Sequence, residues 1–434
     1  MKKIKVLRII ARLNIGGPAV HSILLSRHLN NDKFDSLLVT GLIGKSEGDM
    51  MYLAEKNNVK PILIKELGRE ISWKDDIIAF YKILRLIIKE KPDIIHTHTA
   101  KAGTLGRMAG IIYNILYPLF HPPLDLPFIP SFRRRGRGGR KGERRGVLLV
   151  HTFHGHVFHS YFKTFKTRLF IFIESVLARF TNRIVVISER QIREISDKLN
   201  IKSNNKFELI PLGLNLSPFY EIEKNKGTFK KELNLDTNAK LIGIIGRLVP
   251  VKNHRMFLDA VKIYKERGDD RSVKFVIIGD GELREELVNY SIKADITEDV
   301  IFTGWRKDLE NVYSDLDIVV MTSLNEGTPV SIIEAFASGK PVIAADVGGV
   351  RDLFTEKSEV RSQKSEVRLY CEGILINSND SDSLVEGIRF LLNNPEMARD
   401  MGRMGRIVIK ERFDIGRLAR DMEGMYEKLI SNEQ

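Results

Sequence analysis

The chain has 434 residues, 43 % apolar and 29 % charged, with 33 Gly and 14 Pro; this balance excludes collagen-like, disordered and disulfide-stapled chains and suits two globular domains. A formal charge of +13 admits nucleic acid, anionic lipid or an anionic substrate, but seven Arg and one Lys against one Glu within Ser131–Gly146 supply +7, leaving +6 for the rest of the chain. The single cysteine, Cys371, closes no intrachain bridge, so a reducing cytoplasm is the expected compartment.

The opening MKKIKVLRII imitates the basic end of a signal peptide, but Arg8 and Arg12 interrupt the apolar stretch and no small-residue cleavage site follows, so it reads as a first strand. No window approaches the roughly 18 to 20 apolar residues of a membrane span. Any membrane contact is expected to be peripheral. From Ile4 to about Ile210, short β-branched runs (Val6–Ile10, Ser36–Thr40, Ile62–Ile64, Ile94–His96, Leu148–Thr152, Ile184–Ile187) alternate with amphipathic stretches, the pattern of a parallel sheet with crossover helices. Behind the first strand, Gly16-Gly17-Pro18 precedes an amphipathic run from Val20 to Leu29. The glycines serve either a tight turn or the close approach of helix-start amides to an anion.

Tyr117–Gly146 breaks the alternation: a Pro- and Phe-containing stretch followed by the Arg/Gly run reads as an insertion unable to form a crossover helix. Seven of the ten histidines lie between His96 and His159. The run HTFHGHVFH follows a strand into a turn at Gly155 and lacks Cys or carboxylate partners, so a histidine at the end of a strand that orients a polar substrate is favoured over a metal centre. Ser188 is placed as the N-cap of the next helix.

Pro211 to about Lys240 is polar and turn-rich and reads as a connection. The strand-helix rhythm then restarts at Leu241–Ile245, Val273–Ile278, Val300–Thr303, Ile318–Met321 and Val342–Ala344. After LIGIIG come Arg247 and Lys252, two cations at the carboxyl end of a parallel strand, where open α/β sheets bind ligands; they make either a diphosphate clamp or a solvated basic turn. Asp315-Leu316-Asp317 has the form of a metal-nucleotide motif, yet it runs straight into a strand and reads as a helix-to-strand loop. Glu326-Gly327-Thr328-Pro329-Val330-Ser331-Ile332-Ile333-Glu334 sets two carboxylates eight apart around a turn and helix start, with amides from about Thr328 to Ser331 suited to a sugar phosphate and Glu334 to a vicinal diol. Lys357–Arg368 repeats KSEVR and reads as a surface hairpin or helix extension.

Taken together, Gly16-Gly17, Thr152-Phe153-His154-Gly155, Val186-Ile187-Ser188-Glu189, Ile210-Pro211-Leu212-Gly213, Gly246-Arg247-Leu248 with Lys252-Asn253, Ile278-Gly279-Asp280-Gly281, Phe302-Thr303-Gly304 and Glu326-x7-Glu334 resemble, in order, the motifs of the retaining glycosyltransferases of family 4. The resemblance implies an α/β GT-B fold of two Rossmann-like, doubly wound domains facing a cleft. Its boundaries are an acceptor-side domain over 1–212 with an insertion at 117–146, a nucleotide-sugar domain over 213–415 with an insertion at 356–369, and a C-terminal helix over 416–434 returning to the first domain.

It also implies transfer of a hexose or N-acetylhexosamine from a nucleotide-diphosphate sugar to a cell-envelope or polyprenyl-linked glycan, without a cofactor or metal. Arg247 and Lys252 would neutralise the diphosphate leaving group, and Glu334 would hold the ribose. Glu326 would contact the donor sugar, with the backbone of Gly327, Thr328, Pro329 and Val330 supporting sugar and phosphate. Gly16-Gly17 would close on the phosphates and His154 would meet the sugar near its reacting carbon. Many relatives carry Asn-Gly where this chain has Leu212-Gly213, so no contact is assigned to Leu212. The Arg-rich insertion is expected to dock on an anionic membrane; nucleic acid is disfavoured, since no aromatic-basic interleaving accompanies it. The alternatives are a nucleotide-sugar 2-epimerase of the same fold and a binding protein without turnover.

Overall fold

The computed structural model describes residues 3–44, 48–68, 72–120, 146–154, 164–201, 204–270, 272–355, 360–361 and 367–431. These fall into two compact units, one drawn from 1–45, 49–211 and 418–434, the other from 212–417.

The first unit is a seven-stranded parallel sheet in the order β3-β2-β1-β4-β5-β6-β7. Its elements run β1 (Ile4–Arg12), α1 (Gly17–His28), β2 (Phe34–Gly41), α2 (Met51–Lys56), β3 (Ile62–Leu63), α3 (Trp73–Glu90), β4 (Ile94–His98), α4 (Ala100–Phe120), β5 (Leu148–Thr152), α5 (Thr164–Phe180), β6 (Arg183–Val186), α6 (Glu189–Leu199) and β7 (Phe207–Leu209). The central strands are buried on both faces, which is why they read as near-continuous apolar runs. Leu7, Ile9 and Ala11 pack with Ala79, Ile83 and Ile87 of α3 and Ala102 and Ala109 of α4. Ile10 and Leu13 pack with Ala19 and Ile23 of α1 on the opposite face. Ser188 caps α6, its hydroxyl accepting from the Gln191 amide, as the sequence predicts. The expected insertion begins later than Tyr117: α4 continues to Phe120 with Pro118 inside its last turn. Asn114, one turn earlier, bonds both the N–H and the carbonyl of Val147 and so fixes the start of β5. Residues 121–145, which carry almost all of the Arg-rich run, lie outside the described residues.

The second unit comprises α7 (Ser217–Tyr220), α8 (Thr228–Glu232), β8 (Lys240–Ile245), α9 (His254–Glu266), β9 (Val273–Ile278), α10 (Arg284–Lys293), β10 (Val300–Gly304), α11 (Leu309–Asp315), β11 (Ile318–Met321), α12 (Val330–Ala337), β12 (Val342–Ala345), β13 (Val360–Arg361), β14 (Arg368–Tyr370), β15 (Gly373–Ile376), α13 (Ser381–Asn393) and α14 (Pro395–Arg412). Its sheet order is β10-β9-β8-β11-β12-β15-β14-β13, parallel except for the last two strands. The KSEVR repeat thus contributes to an antiparallel edge hairpin, Val360 opposite Leu369. The stretch after Pro211 is no open connection: Phe219, Ile222 and Phe229 are buried in this unit, and Asp315 accepts from the Gly227 and Lys230 amides to cap α8. The last helix, α15 (Ile415–Ser431), buries Met422, Met425 and Tyr426. Glu423 accepts from Asn31, and Tyr426 reaches His96, both within the first unit.

Candidate functional site

In the second unit the groups around the ends of β8 and β11 gather the predicted donor residues. Behind Gly246 and Arg247, a short 3-10 turn, Pro250–Lys252, precedes Asn253, whose left-handed backbone (φ 49°) starts α9. The Thr322 hydroxyl, just past β11, lies 3.1 Å from the Lys252 carbonyl and 2.9 Å from that of Asn253, tying this turn to the next strand end. Lys252 Nζ then donates to Glu326 Oε1 at 2.5 Å, and the Ser323 hydroxyl donates to the same oxygen at 2.7 Å. Arg247 is half-buried and has no ion-pair partner among the described residues. A cation left uncompensated makes a local positive field suited to an anion.

The Glu326–Val330 loop is held from behind by Gly348 and Gly349. A Cβ on Gly348 (φ +55°) would fall 1.9 Å from the Glu326 carbonyl oxygen, and one on Gly349 2.1 Å from that of Gly327. The Gly349 amide donates to the Glu326 carbonyl at 3.0 Å. Only a residue without a side chain permits this contact. The sequence reading overlooked both; the signal was a Gly-Gly pair just past a buried strand, β12.

Helix α12 starts at Val330 with Pro329 as its N-cap and no capping side chain. Its first intrahelical bond is the Ile333 amide to the Pro329 carbonyl, so the amides of Val330, Ser331 and Ile332 lie ahead of the helical ladder, ready for an anion. Pro329 itself has no N–H, which narrows the expected amide run from Thr328 to Ser331. Glu334, one turn on, accepts from the buried Tyr313 hydroxyl at 3.1 Å. Burial pushes its carboxyl up to about 7, against the opposing Tyr313 hydrogen bond. Asp315 and Asp317 serve structure, as expected for a helix-to-strand loop: the former caps α8, and the latter accepts from the Leu241 amide and Lys240.

In the first unit, alternation along the central strands sends Arg8, His96, His98, Thr152 and His154 to the face covered by α1, whereas His151 bonds Thr97 on the other face. Arg8 sits opposite His96 in the β1–β4 register. It is fully buried and reaches His96 Nδ1 at 3.1 Å and His98 Nε2 at 3.4 Å. His98 Nδ1 is 2.8 Å from His154 Nε2. The His21 ring of α1 packs edge-on against His154, centroids 4.8 Å apart. His96 bonds Thr152 through Nε2 and Tyr426 through Nδ1. Burial, with the Arg8 charge beside it, pushes His154 down to about 3, and His96 and His98 lie well below the usual imidazole range for the same reasons. These surroundings favour the neutral imidazole in all three. Gly16 and Gly17 lie at the start of α1, Gly16 serving as its N-cap with Pro18 in the first turn.

Sequence reading named His154 but not the His98 and His21 rings against it, nor Arg8, His96 and Tyr426 beyond them. The signal available was period two: His96-Thr97-His98 in a strand sends both imidazoles to one face. His21, His98 and His154 present ligand atoms within 4.8 Å of one another, the one such metal-competent group among the described residues. Arg8, which can only donate, occupies His98 Nε2, so a metal on Nδ1 would require an imidazolate. His156 and His159 lie outside the described residues.

The profile of Glycosyltransferase Family 4 matches residues 15–218, and that of Glycosyl transferases group 1 matches residues 225–408. The Escherichia coli UDP-Gal:alpha-D-GlcNAc-diphosphoundecaprenol alpha-1,3-galactosyltransferase is 28% identical over 93% of this chain and 92% of its own length. The Staphylococcus aureus capsular polysaccharide biosynthesis glycosyltransferase CapM is 23% identical over 85% of each. Among solved structures, Anabaena HepE in complex with UDP and glucose superimposes with a TM-score of 0.74 at 17% identity, covering 98% of this chain and 99% of that one. Sucrose-phosphate synthase from Thermosynechococcus elongatus gives 0.72 at 18%, covering 99% and 100%. The expected fold and family therefore both hold: the chain belongs to the family 4, group 1 glycosyltransferases and has the GT-B fold.

Proposed function

We propose that this glycosyltransferase moves a hexose, with retention of configuration, from a UDP-activated donor to a polyprenyl-diphosphate-linked glycan at a membrane surface. The observation that carries the donor assignment is the Lys252–Glu326 pair, which links the segments behind two neighbouring strand ends, Arg247 lying in the first and the α12 amides and Glu334 in the second. Arg247 and Lys252 meet the charge that develops on the departing nucleotide diphosphate, favouring the transition state over the ground state. These cations do the work that a bound metal would otherwise do, so the reaction proceeds without one. Glu334 receives the ribose diol, and Glu326, oriented by Lys252 and Ser323, accepts from the sugar hydroxyls. The backbone of Gly327, Thr328, Pro329 and Val330 supports the sugar and phosphate. Gly16-Gly17 is assigned to the phosphates and His154 to the donor sugar. The leaving phosphate oxygen takes the acceptor proton as the sugar is attacked on the face it departs from.

The UDP-hexose and lipid-linked acceptor follow the Escherichia coli relative's substrates. Helix α5 supports the membrane surface: Leu169, Phe172, Val176 and Phe180 are all exposed at spacings of three and four, with exposed Arg168 and Arg179 on the same side. An apolar stripe edged by arginine suits an anionic interface, as does the Arg-rich run within 117–146. Among the described residues no helix is long and apolar enough to cross a membrane.

The test is mass spectrometry of a GlcNAc-diphosphopolyprenol acceptor incubated with UDP-galactose, UDP-glucose, UDP-N-acetylglucosamine or UDP-N-acetylgalactosamine. A gain of one hexose with a UDP-hexose, lost in Lys252→Met, is expected. Donor isomerisation without acceptor, or binding without any product, would replace the reading by epimerisation or by binding alone.

A further inference from the structure

The buried arginine among the histidines has a directional consequence. The Arg8 guanidinium has only donors. His98 Nε2, 3.4 Å from Arg8 Nη1, is therefore an acceptor and carries no proton. A neutral imidazole has one proton, so His98 holds it on Nδ1 and donates it to His154 Nε2 at 2.8 Å. His154 Nε2 is then an acceptor, and the His154 proton must reside on Nδ1. That nitrogen is buried and finds no hydrogen-bond partner among the described residues. A buried donor without a partner is an expensive state that a substrate oxygen relieves.

We propose that Arg8 and His98 are positioning residues that lock His154 in its Nδ1–H tautomer, so that His154 offers a fixed hydrogen-bond donor to an oxygen of the bound sugar and takes no proton in the reaction. The inference rests on His154 touching the donor sugar, and it adds how that contact is polarised. With Nε2 engaged by His98 and Nδ1 protonated, His154 has no lone pair left for general-base work. The relay also gives a reason for leaving a cation in the sheet core: Arg8 has no acidic partner among the described residues, and its charge polarises the two imidazoles beyond it.

Long-range 1H–15N correlation spectra of the full chain, labelled at histidine and free of substrate, read the tautomers directly. His154 is expected to show a pyrrole-type Nδ1 and a pyridine-type Nε2, with His98 the same; the reverse tautomer at either ring overturns the proposal. Titration with Zn2+ that moves the His21, His98 and His154 signals together would also overturn it, in favour of a metal site. In kinetics, His154→Asn, whose amide N–H falls near Nδ1, should retain at least about tenfold more kcat than His154→Gln. His98→Leu and Arg8→Met should each lose about tenfold or more in kcat at little change in donor KM, and His98→Asn should recover most of it. Tautomers as assigned together with unchanged kcat in all these variants would overturn the substrate contact of His154 and the positioning role with it, leaving the donor residues of the second unit untouched.

Discussion

Lys252 and Glu326 form a charge-assisted hydrogen bond of 2.5 Å, and Ser323 closes on the same carboxylate oxygen. The pair is only partly exposed, at 25% and 13% of the two side chains. Glu326 is thereby aimed with one oxygen engaged, while Lys252 retains two further donors. Lys252→Met is expected to lower kcat by roughly 100-fold or more, the scale for removing one preorganised donor at a developing anion. Its thermal midpoint should stay within a few degrees of wild type, as partly exposed pairs contribute little to folding. Steady-state kinetics beside a melting curve checks both; an unstable protein with normal kcat would make the pair structural.

Glu334 gives a pH signature. Its carboxyl is pushed up to about 7 by burial, and accepting both hydroxyls of a ribose needs the carboxylate. A raised pKa means that the charged form is disfavoured in the empty site, so affinity for a UDP-sugar should fall as pH drops through 7, approaching tenfold per unit below it, and level off above about 8. A UDP-sugar is the right probe, because its diphosphate diester does not titrate there. Calorimetry from pH 5.5 to 8.5 should give this slope in wild type and a flat, weaker profile in Glu334→Gln; a wild-type profile that is flat would remove Glu334 from the ribose.

Gly348→Ala tests the backing of the donor loop. The added Cβ would meet the Glu326 carbonyl oxygen at 1.9 Å in a left-handed backbone position, so strain of about 1 to 3 kcal/mol is released by displacing the loop. A drop in kcat/KM for the donor of tenfold or more with the overall fold retained is expected, measured by kinetics and circular dichroism.

Stability in the first unit depends on a buried ion pair. Arg107 Nη2 lies 2.7 Å from both oxygens of Glu174, its Nε donates to the Gly103 carbonyl, and both side chains are fully buried. Glu174→Gln or Arg107→Met should destabilise by about 3 to 5 kcal/mol, because each leaves a buried partner uncompensated. The double variant Arg107→Met with Glu174→Leu should recover much of that loss. Urea denaturation of the three variants decides the matter.

Much of the fold was legible because parallel strands buried on both faces announce themselves: Leu148–Thr152, Val273–Ile278 and Ile318–Met321 match their predicted limits. The short strands Phe207–Leu209 and Arg368–Tyr370 did not, since few residues commit them to pairing. Motif spacing singled out Lys252 and Glu326, which the structure pairs. Spacing could not foretell that Gly348 and Gly349 support Glu326, that Arg107 pairs with Glu174 67 positions away, or that a strand arginine lies under the histidines. Those are tertiary contacts between segments whose local composition already had an ordinary explanation.

The most direct measurement is proton NMR of the glycan made from UDP-α-galactose and a GlcNAc-diphosphopolyprenol acceptor, compared between wild type and Lys252→Met. The account predicts one added hexose, an axial-equatorial H1–H2 coupling diagnostic of the α anomer, and loss of that product in the variant. A β-linked product, or free galactose or an isomerised donor with the acceptor unchanged, would contradict it.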